Sequence, residues 1–317
     1  MANWTEILDE VNKSSSGPLK DFDGVRKKYL ENLFKLTERN VIALYSGWLQ
    51  KAGHKSPLFS ISDGVMPGLM TAVNKLDKTK GLDLILHTPG GEINATEQIV
   101  FYLRSIFKND IRAIVPHMAM SAGTMLACAA KSILMGLHSN LGPIDPQVSG
   151  AAAHAILEEF RQIQEMFAFS PKEAQAWVPI LQRYTPTLIG SCKKAIELSE
   201  TMVSSWLETN MFIDDPNPKD KAGAVVAALG SPEKTLSHGR HISIDQVRAL
   251  GLNVEALEDN HALQDAVLSV HHCFTVTLSL TPTAAIIENH LGMRFINFMS
   301  MVQSPQFLIG PQPMQTG

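Results

Sequence analysis

Short apolar runs alternate with helix-spaced stretches through the middle of this chain. Leu82 to Leu86, Ile111 to Val115 and Ser132 to Gly136 are compact runs of the kind that form buried strands. Between them, Ala95 to Phe107 and Ser121 to Ala130 are long enough and patterned for helices. Strand and helix in strict alternation predict an α/β fold: repeated β-α units joined by right-handed crossovers into a parallel sheet. Ligand sites in such sheets lie beyond the C-terminal ends of the strands. Upstream, Asp21 to Arg39 carries Val25, Tyr29, Leu33 and Leu36 at helical spacing. Asn40 to Trp48 holds a first strand at Val41-Ile42-Ala43-Leu44-Tyr45, and Gly64 to Leu76 places Val65, Leu69, Val73 and Leu76 on one helical face.

The pattern changes from Ala151 to about Leu229, which reads as all-helical: Ala155 to Phe167, Pro171 to Gln182 and Leu188 to Thr209. Asn217-Pro218 and Gly230-Ser231-Pro232 punctuate it. Ser243 to Gly251 is a short helix returning to Leu252-Asn253-Val254, and Asp259 to Thr275 is a final helix. The segments expected are therefore an N-terminal lead-in and helix over 1–39, broken at Ser14-Ser15-Ser16-Gly17-Pro18, and an α/β core over 40–150. A helical insertion follows over 151–230, then a return segment completing the core over 231–278. A C-terminal tail spans 279–317, loose from Pro305. The patch from Ile286-Ile287 to Phe295-Ile296 is expected to supply subunit contacts.

Composition narrows the function classes. Hydrophobic residues make up 45% and charged residues 18% of 317, the balance of a globular chain with a sizeable core. A net charge of −4 offers no basic field for nucleic acid. Three cysteines, Cys128, Cys192 and Cys273, are far apart and lack CxxC spacing, which suits a reducing compartment and gives no zinc or redox motif. Neither a signal peptide nor a run of about 18 apolar residues is visible, so the expectation is a cytoplasmic protein without an integral membrane segment. No GxxxxGK[ST], GxGxxG, HExxH or EF-hand loop occurs, so no metal or other cofactor is expected.

Two turns carry the chemistry. Thr88-Pro89-Gly90-Gly91 ends one strand, and Met118-Ala119-Met120-Ser121-Ala122-Gly123-Thr124 opens the next apolar helix. A serine hydroxyl becomes a useful nucleophile when a base takes its proton and donors stabilise the oxyanion. Ser121 at a helix start has the Ala122 N–H beside it at the positive end of the helix dipole. Gly90-Gly91 can present another backbone N–H, because glycine permits the required angles and close approach. Taken alone, a serine before an Ala-rich helix is an ordinary N-cap. The two turns in this order, one β-α unit apart, make the oxyanion-hole reading the stronger one. Met118, Met120 and Met125 then read as apolar lining of a substrate pocket; His87, ending its strand beside the glycine turn, either joins that lining or simply packs at the strand end, with packing the favoured reading.

These motifs resemble the serine dehydrogenase proteinase family, a branch of the ClpP/SppA-like serine peptidases. The resemblance is carried by Leu86-His87-Thr88-Pro89-Gly90-Gly91, by Pro116 to Thr124, and by Leu141-Gly142-Pro143-Ile144-Asp145-Pro146-Gln147. Ser237-His238-Gly239-Arg240-His241-Ile242, running into Ala249-Leu250-Gly251-Leu252, extends it. It implies a ClpP/crotonase-like core, a serine endopeptidase working on peptide or unfolded-protein substrates without ATP, and a homo-oligomer enclosing the sites. Many members begin with a membrane helix, and none is expected here. In ClpP the loop after the nucleophile helix delivers a histidine, and here Asp145 stands in that register. The family order Ser, Asp, His implies Ser121 as nucleophile, Asp145 as orienting acid and a later histidine as base. Of His154, His238, His241, His261, His271, His272 and His290, the motif falls on His238. Gly90, Gly91 and Ala122 would form the oxyanion hole.

Alternatives stay open at this level. An SppA-type serine–lysine dyad would draw on Lys172, Lys193 or Lys194 in the helical insertion. A crotonase-like acyl-CoA enzyme would use the same oxyanion hole, and a pseudo-peptidase would scaffold partners without catalysis.

Overall fold

A computed structural model describes residues 2–14, 20–231 and 237–299. Helix α1 (Trp4–Lys13) begins at an Asn3/Glu6 capping box and leads to α2 (Phe22–Thr37). Next come β1 (Asn40–Ser46), α3 (Met66–Val73), β2 (Leu82–His87), α4 (Ile93–Phe107), β3 (Ile111–Val115), β4 (Met118–Ala119), α5 (Ala122–Cys128) and β5 (Ser132–Met135). Two-residue strands β6 (Asn140–Leu141), β7 (Gln147–Val148) and β8 (Ala151–Ala152) follow. The helical region holds α6 (Ala153–Phe169), α7 (Pro171–Ala174), α8 (Val178–Leu181), α9 (Leu188–Trp206) and α10 (Pro218–Gly230). The chain then forms β9 (Ile242–Ser243), α11 (Ile244–Ala249), β10 (Val254–Ala256), α12 (His261–Leu280), β11 (Thr283–Asn289) and β12 (Arg294–Phe298).

Seven strands form the main sheet in the order β10-β5-β3-β2-β1-β11-β12. The five from β10 to β1 are parallel, and β11 and β12 add antiparallel pairs at one edge. The parallel α/β architecture read from the sequence is the one observed. Both faces of the sheet are covered, which is why β1 and β2 are buried along their whole length. Alternate residues divide between two cores. Ile42, Leu44, Leu84, Leu86, Ala113 and Val115 pack toward α3, α4, α5, α9 and α10. Val41, Ala43, Tyr45, Ile85 and Ile114 pack toward α2 and α12.

The tail expectation needs correction. Thr283–Asn289 and Arg294–Phe298 are strands of the central sheet: Ile42 to Ser46 pair with Asn289 to Ala285, and Ile286 to Glu288 pair with Ile296 to Arg294. Ile286 and Ile287 are accordingly 0% and 4% exposed, so they fill the core and are not an open subunit-contact patch. Gly68 of α3 seats against this edge, where an added Cβ would lie 2.5 Å from Ile287 Cδ1. The second difference lies at Pro171 to Gln182, expected as one helix. Pro179 and a 3-10 turn at Gln175–Trp177 divide it into α7 and α8. Expectations about residues 15–18, Pro232 and the segment beyond Pro305 fall outside the described residues.

Candidate active site

A small second sheet brings the motifs together. In it β4 runs parallel to β6, and β6 runs antiparallel to β9, with Ala119, Leu141 and Ile242 in register. Ser121 lies two residues past Ala119, and Asp145 four residues past Leu141. His238 lies four residues before Ile242. Because β9 runs the opposite way, all three segments leave the sheet at the same end.

Thr124 ties two of these segments. Its Oγ1 donates to the Ala119 and Gly142 carbonyls at 2.8 and 2.9 Å, and accepts from Gly142 N at 2.9 Å. Beyond that clamp, Asp145 is 3% exposed and accepts from His238 Nδ1 at 2.8 Å. Its second oxygen accepts from Gln147 Nε2 at 3.2 Å. An imidazole that donates from Nδ1 presents its other nitrogen, Nε2, as an acceptor. The His238 side chain keeps 33% of its surface exposed, so that nitrogen belongs to a group reachable from solvent.

Ser121 precedes α5 with φ 51° and ψ −116°, a conformation that favours glycine. Surrounding bonds hold it there. Met120 N donates to Thr88 O at 3.0 Å, Gly123 N to Met120 O at 2.8 Å, and Met125 N to Ser121 O at 3.1 Å. Against it lies the glycine turn. A Cβ on Gly90 (φ +99°) would meet Met120 O at 2.6 Å and Ser121 Cβ at 2.7 Å. A Cβ on Gly91 would meet the Ile61 backbone at 2.1 Å. Only residues without side chains allow the turn to lie between Ile61 and Ser121. The Gly90 N–H donates to Thr88 Oγ1 at 3.1 Å. The Gly91 N–H has no such commitment among the described residues, and the Ala122 N–H opens a helix.

The remaining expected residues separate. Met118 and Met120 are each 8% exposed beside the turn, whereas Met125, at 2%, packs into the core of α5. His87 does not line a substrate pocket. It is fully buried on the α12 face of β2, among Tyr45, Trp48, His117 and His271, with neither ring nitrogen hydrogen-bonded. The alternation of β2 explains this, since Leu84 and Leu86 point to the α5 side and His87 to the other. Burial is the first cause holding His87 down to about 3, with His117 nearby adding to it. Lys172, Lys193 and Lys194 are exposed, and so is His241. His290 accepts from Val41 N at 3.2 Å far along β1. Sequence reasoning assigned no role to Thr88, Thr124 or Gln147, although all three lie within the motifs it singled out.

Residues 58–263 match the model of the ClpP-like SDH-type serine proteinase family. The chain belongs to this family. Two uncharacterised proteins of Methanocaldococcus jannaschii are similar to it. One is 32% identical over 187 residues, covering 59% of this chain and 58% of that protein. The other is 30% identical over 186 residues, covering 59% and 56%. The chain thus spans a little over half the length of these relatives. The family match runs from the segment before α3 through the start of α12, and so includes both glycine and serine turns, Asp145 and His238. No helix among the described residues is long and apolar enough to cross a membrane. None of their His, Cys, Asp and Glu side chains group to hold a metal ion.

Proposed function

We propose that this family member is a serine endopeptidase in which Ser121 is the nucleophile, His238 the base and Asp145 the acid that orients it. The observation that carries the reading is the 2.8 Å His238–Asp145 pair, leaving the same end of the small sheet as the Ser121 turn. His238 Nε2 takes the Ser121 proton as Oγ attacks the scissile carbonyl carbon. The tetrahedral oxyanion accepts hydrogen bonds from the Gly91 and Ala122 N–H groups. Gly90 contributes its close approach and not a donor, because its N–H already serves Thr88 Oγ1. When the C–N bond breaks, His238 returns the proton to the leaving amine. Water, deprotonated by the same imidazole, then attacks the acyl-Ser121 ester, and Ser121 regains its proton. Buried Asp145 holds the Nδ1–H tautomer throughout, and Gln147 steadies its second oxygen.

The substrates proposed are peptides or unfolded proteins, hydrolysed without ATP. Homo-oligomerisation through the helical region is part of the proposal, since Phe167, Phe169, Val178 and Ile180 stand exposed there. The exposed lysines of that region leave a serine–lysine dyad without a supporting observation.

Fluorophosphonate labelling with mass-spectrometric site mapping tests the mechanism. An adduct on Ser121 is expected in the wild type, absent in Ser121→Ala and much slower in His238→Ala. Equal labelling of His238→Ala and wild type would refute the base assignment. No adduct on folded protein of either oligomeric state would refute the nucleophile.

A further inference from the structure

A cavity of about 270 Å³ lies behind the glycine turn, on the side away from Ser121. Its walls come from the end of β1, the segment 58–67, Thr88, and the edge strands β11 and β12. Phe59, Ile61, Val65, Ile287 and Phe295 make it predominantly apolar. One wall is different. Ser46 is 2% exposed, and its Oγ is buried with no hydrogen-bond partner among the described residues. Strand alternation puts the Ser46 side chain on the same face as Leu44 and Ile42, the face on which α3 and the cavity lie. A buried hydroxyl without a partner is uncommon and calls for a reason.

We propose that this cavity is a small-molecule site for an aromatic-sized apolar ligand bearing one hydrogen-bonding oxygen, a phenol-like group. The volume sets the size. A dry apolar cavity of about 150 Å³ is enough to take benzene, so a substituted ring fits here. The lining sets the character: apolar walls give the driving force, Ser60, Ser62, Thr88 and Asn297 add polar groups, and Ser46 Oγ, the lining hydroxyl buried without a partner among the described residues, fixes orientation. Two wall residues hold the glycine turn. Thr88 Oγ1 accepts the Gly90 N–H, and Ile61 is bonded on both sides, donating to Gly90 O and accepting from Glu92 N, each at 2.8 Å. A ligand in the cavity therefore packs against the two residues that position Gly90-Gly91. The site does not depend on what Ser121 does.

The experiment is calorimetric titration of the full chain with p-cresol and, separately, toluene, alongside hydrogen exchange. Wild type is expected to bind one equivalent of each. p-Cresol should bind roughly two- to tenfold tighter, the range one net hydrogen bond gives. Exchange should slow in peptides covering 58–65 and 88–92. Ser46→Ala should abolish the preference and leave toluene unchanged. Ala285→Phe, which fills the cavity from β11, should abolish both while the protein still melts cooperatively. No saturable binding by folded wild type, protection elsewhere in the chain, or unchanged binding by folded Ala285→Phe would overturn the site. If Ala285→Phe does not fold, Ser46→Ala decides alone, and a retained preference for p-cresol overturns the proposal.

Discussion

Replacing Ser121 with glycine should relieve backbone strain while abolishing the proposed acylation. Ser121 is held at φ 51° and ψ −116°, where a Cβ is strained and glycine is not. Such a residue carries about 1–3 kcal/mol of strain. Glycine gives back about 0.5–1 kcal/mol through the greater freedom of its unfolded chain. The difference leaves Ser121→Gly about 1 kcal/mol more stable than Ser121→Ala, within a range of about 0–2.5 kcal/mol, because Ser121→Ala keeps the Cβ and its strain. The backbone bonds from Met120, Gly123 and Met125 are common to both variants, so they cancel in the comparison. For a chain of this size a stabilisation of 1 kcal/mol moves the melting midpoint by roughly 2 °C. Thermal denaturation followed by circular dichroism, at one scan rate for both variants, reads the difference. Neither variant should take a fluorophosphonate adduct at position 121. If Ser121→Gly melts at or below Ser121→Ala, the conformation is not strained and the argument fails.

Asp145→Asn should preserve folding and lower the fluorophosphonate labelling rate by about 10⁴, the loss that follows when the orienting carboxylate no longer fixes the histidine tautomer; a loss under tenfold in folded protein would contradict the orienting role. Gly90→Ala should lower stability by about 2 kcal/mol or more and slow labelling, because the new Cβ meets backbone atoms at 2.6 and 3.0 Å and adopts φ +99°; wild-type melting would show that the turn can shift freely. Stability should fall with acid through the buried imidazoles. His87 is held down to about 3, and His117, His271 and His272 are also lowered, burial being the first cause in each. These groups fold neutral but bind protons near pH 6.5 when unfolded, so their contribution is complete above about 6.5 and is lost as pH falls toward 3. His87 alone accounts for about 3 kcal/mol between pH 6.5 and 4. The melting midpoint of His87→Phe should vary less with pH than that of wild type, and parallel curves would count against this assignment.

The parts legible in the sequence were those whose neighbours in space are also neighbours in pattern. β1, β2 and β3 are buried apolar runs that each lead to a helix, and β5 is a further apolar run closing the alternation, so period and length alone place them. The edge strands were not legible for the opposite reason. β11 comes straight after α12 and pairs with β1 across some 240 residues of chain, and nothing local distinguishes it from an apolar tail. His87 shows the same limit at a single side chain. Its place beside the glycine turn suggested a pocket, yet one step of strand alternation decides which face it occupies, and that face is buried under α12. The small sheet is harder still to read, since β4, β6 and β9 have two residues each and no periodicity to detect. Their alignment nevertheless brings His238 to Asp145 from 93 positions away. Family likeness could suggest that pairing only as an order of residue types along the chain. The physical reason for it is directional: two parallel strands carry Ser121 and Asp145 outward, and an antiparallel third carries His238 inward to the same end. A shift of one residue in the β6–β9 register would turn the His238 approach to the opposite face and separate it from the carboxylate. The proposed base is thus specified as much by the Leu141–Ile242 pairing as by the histidine itself.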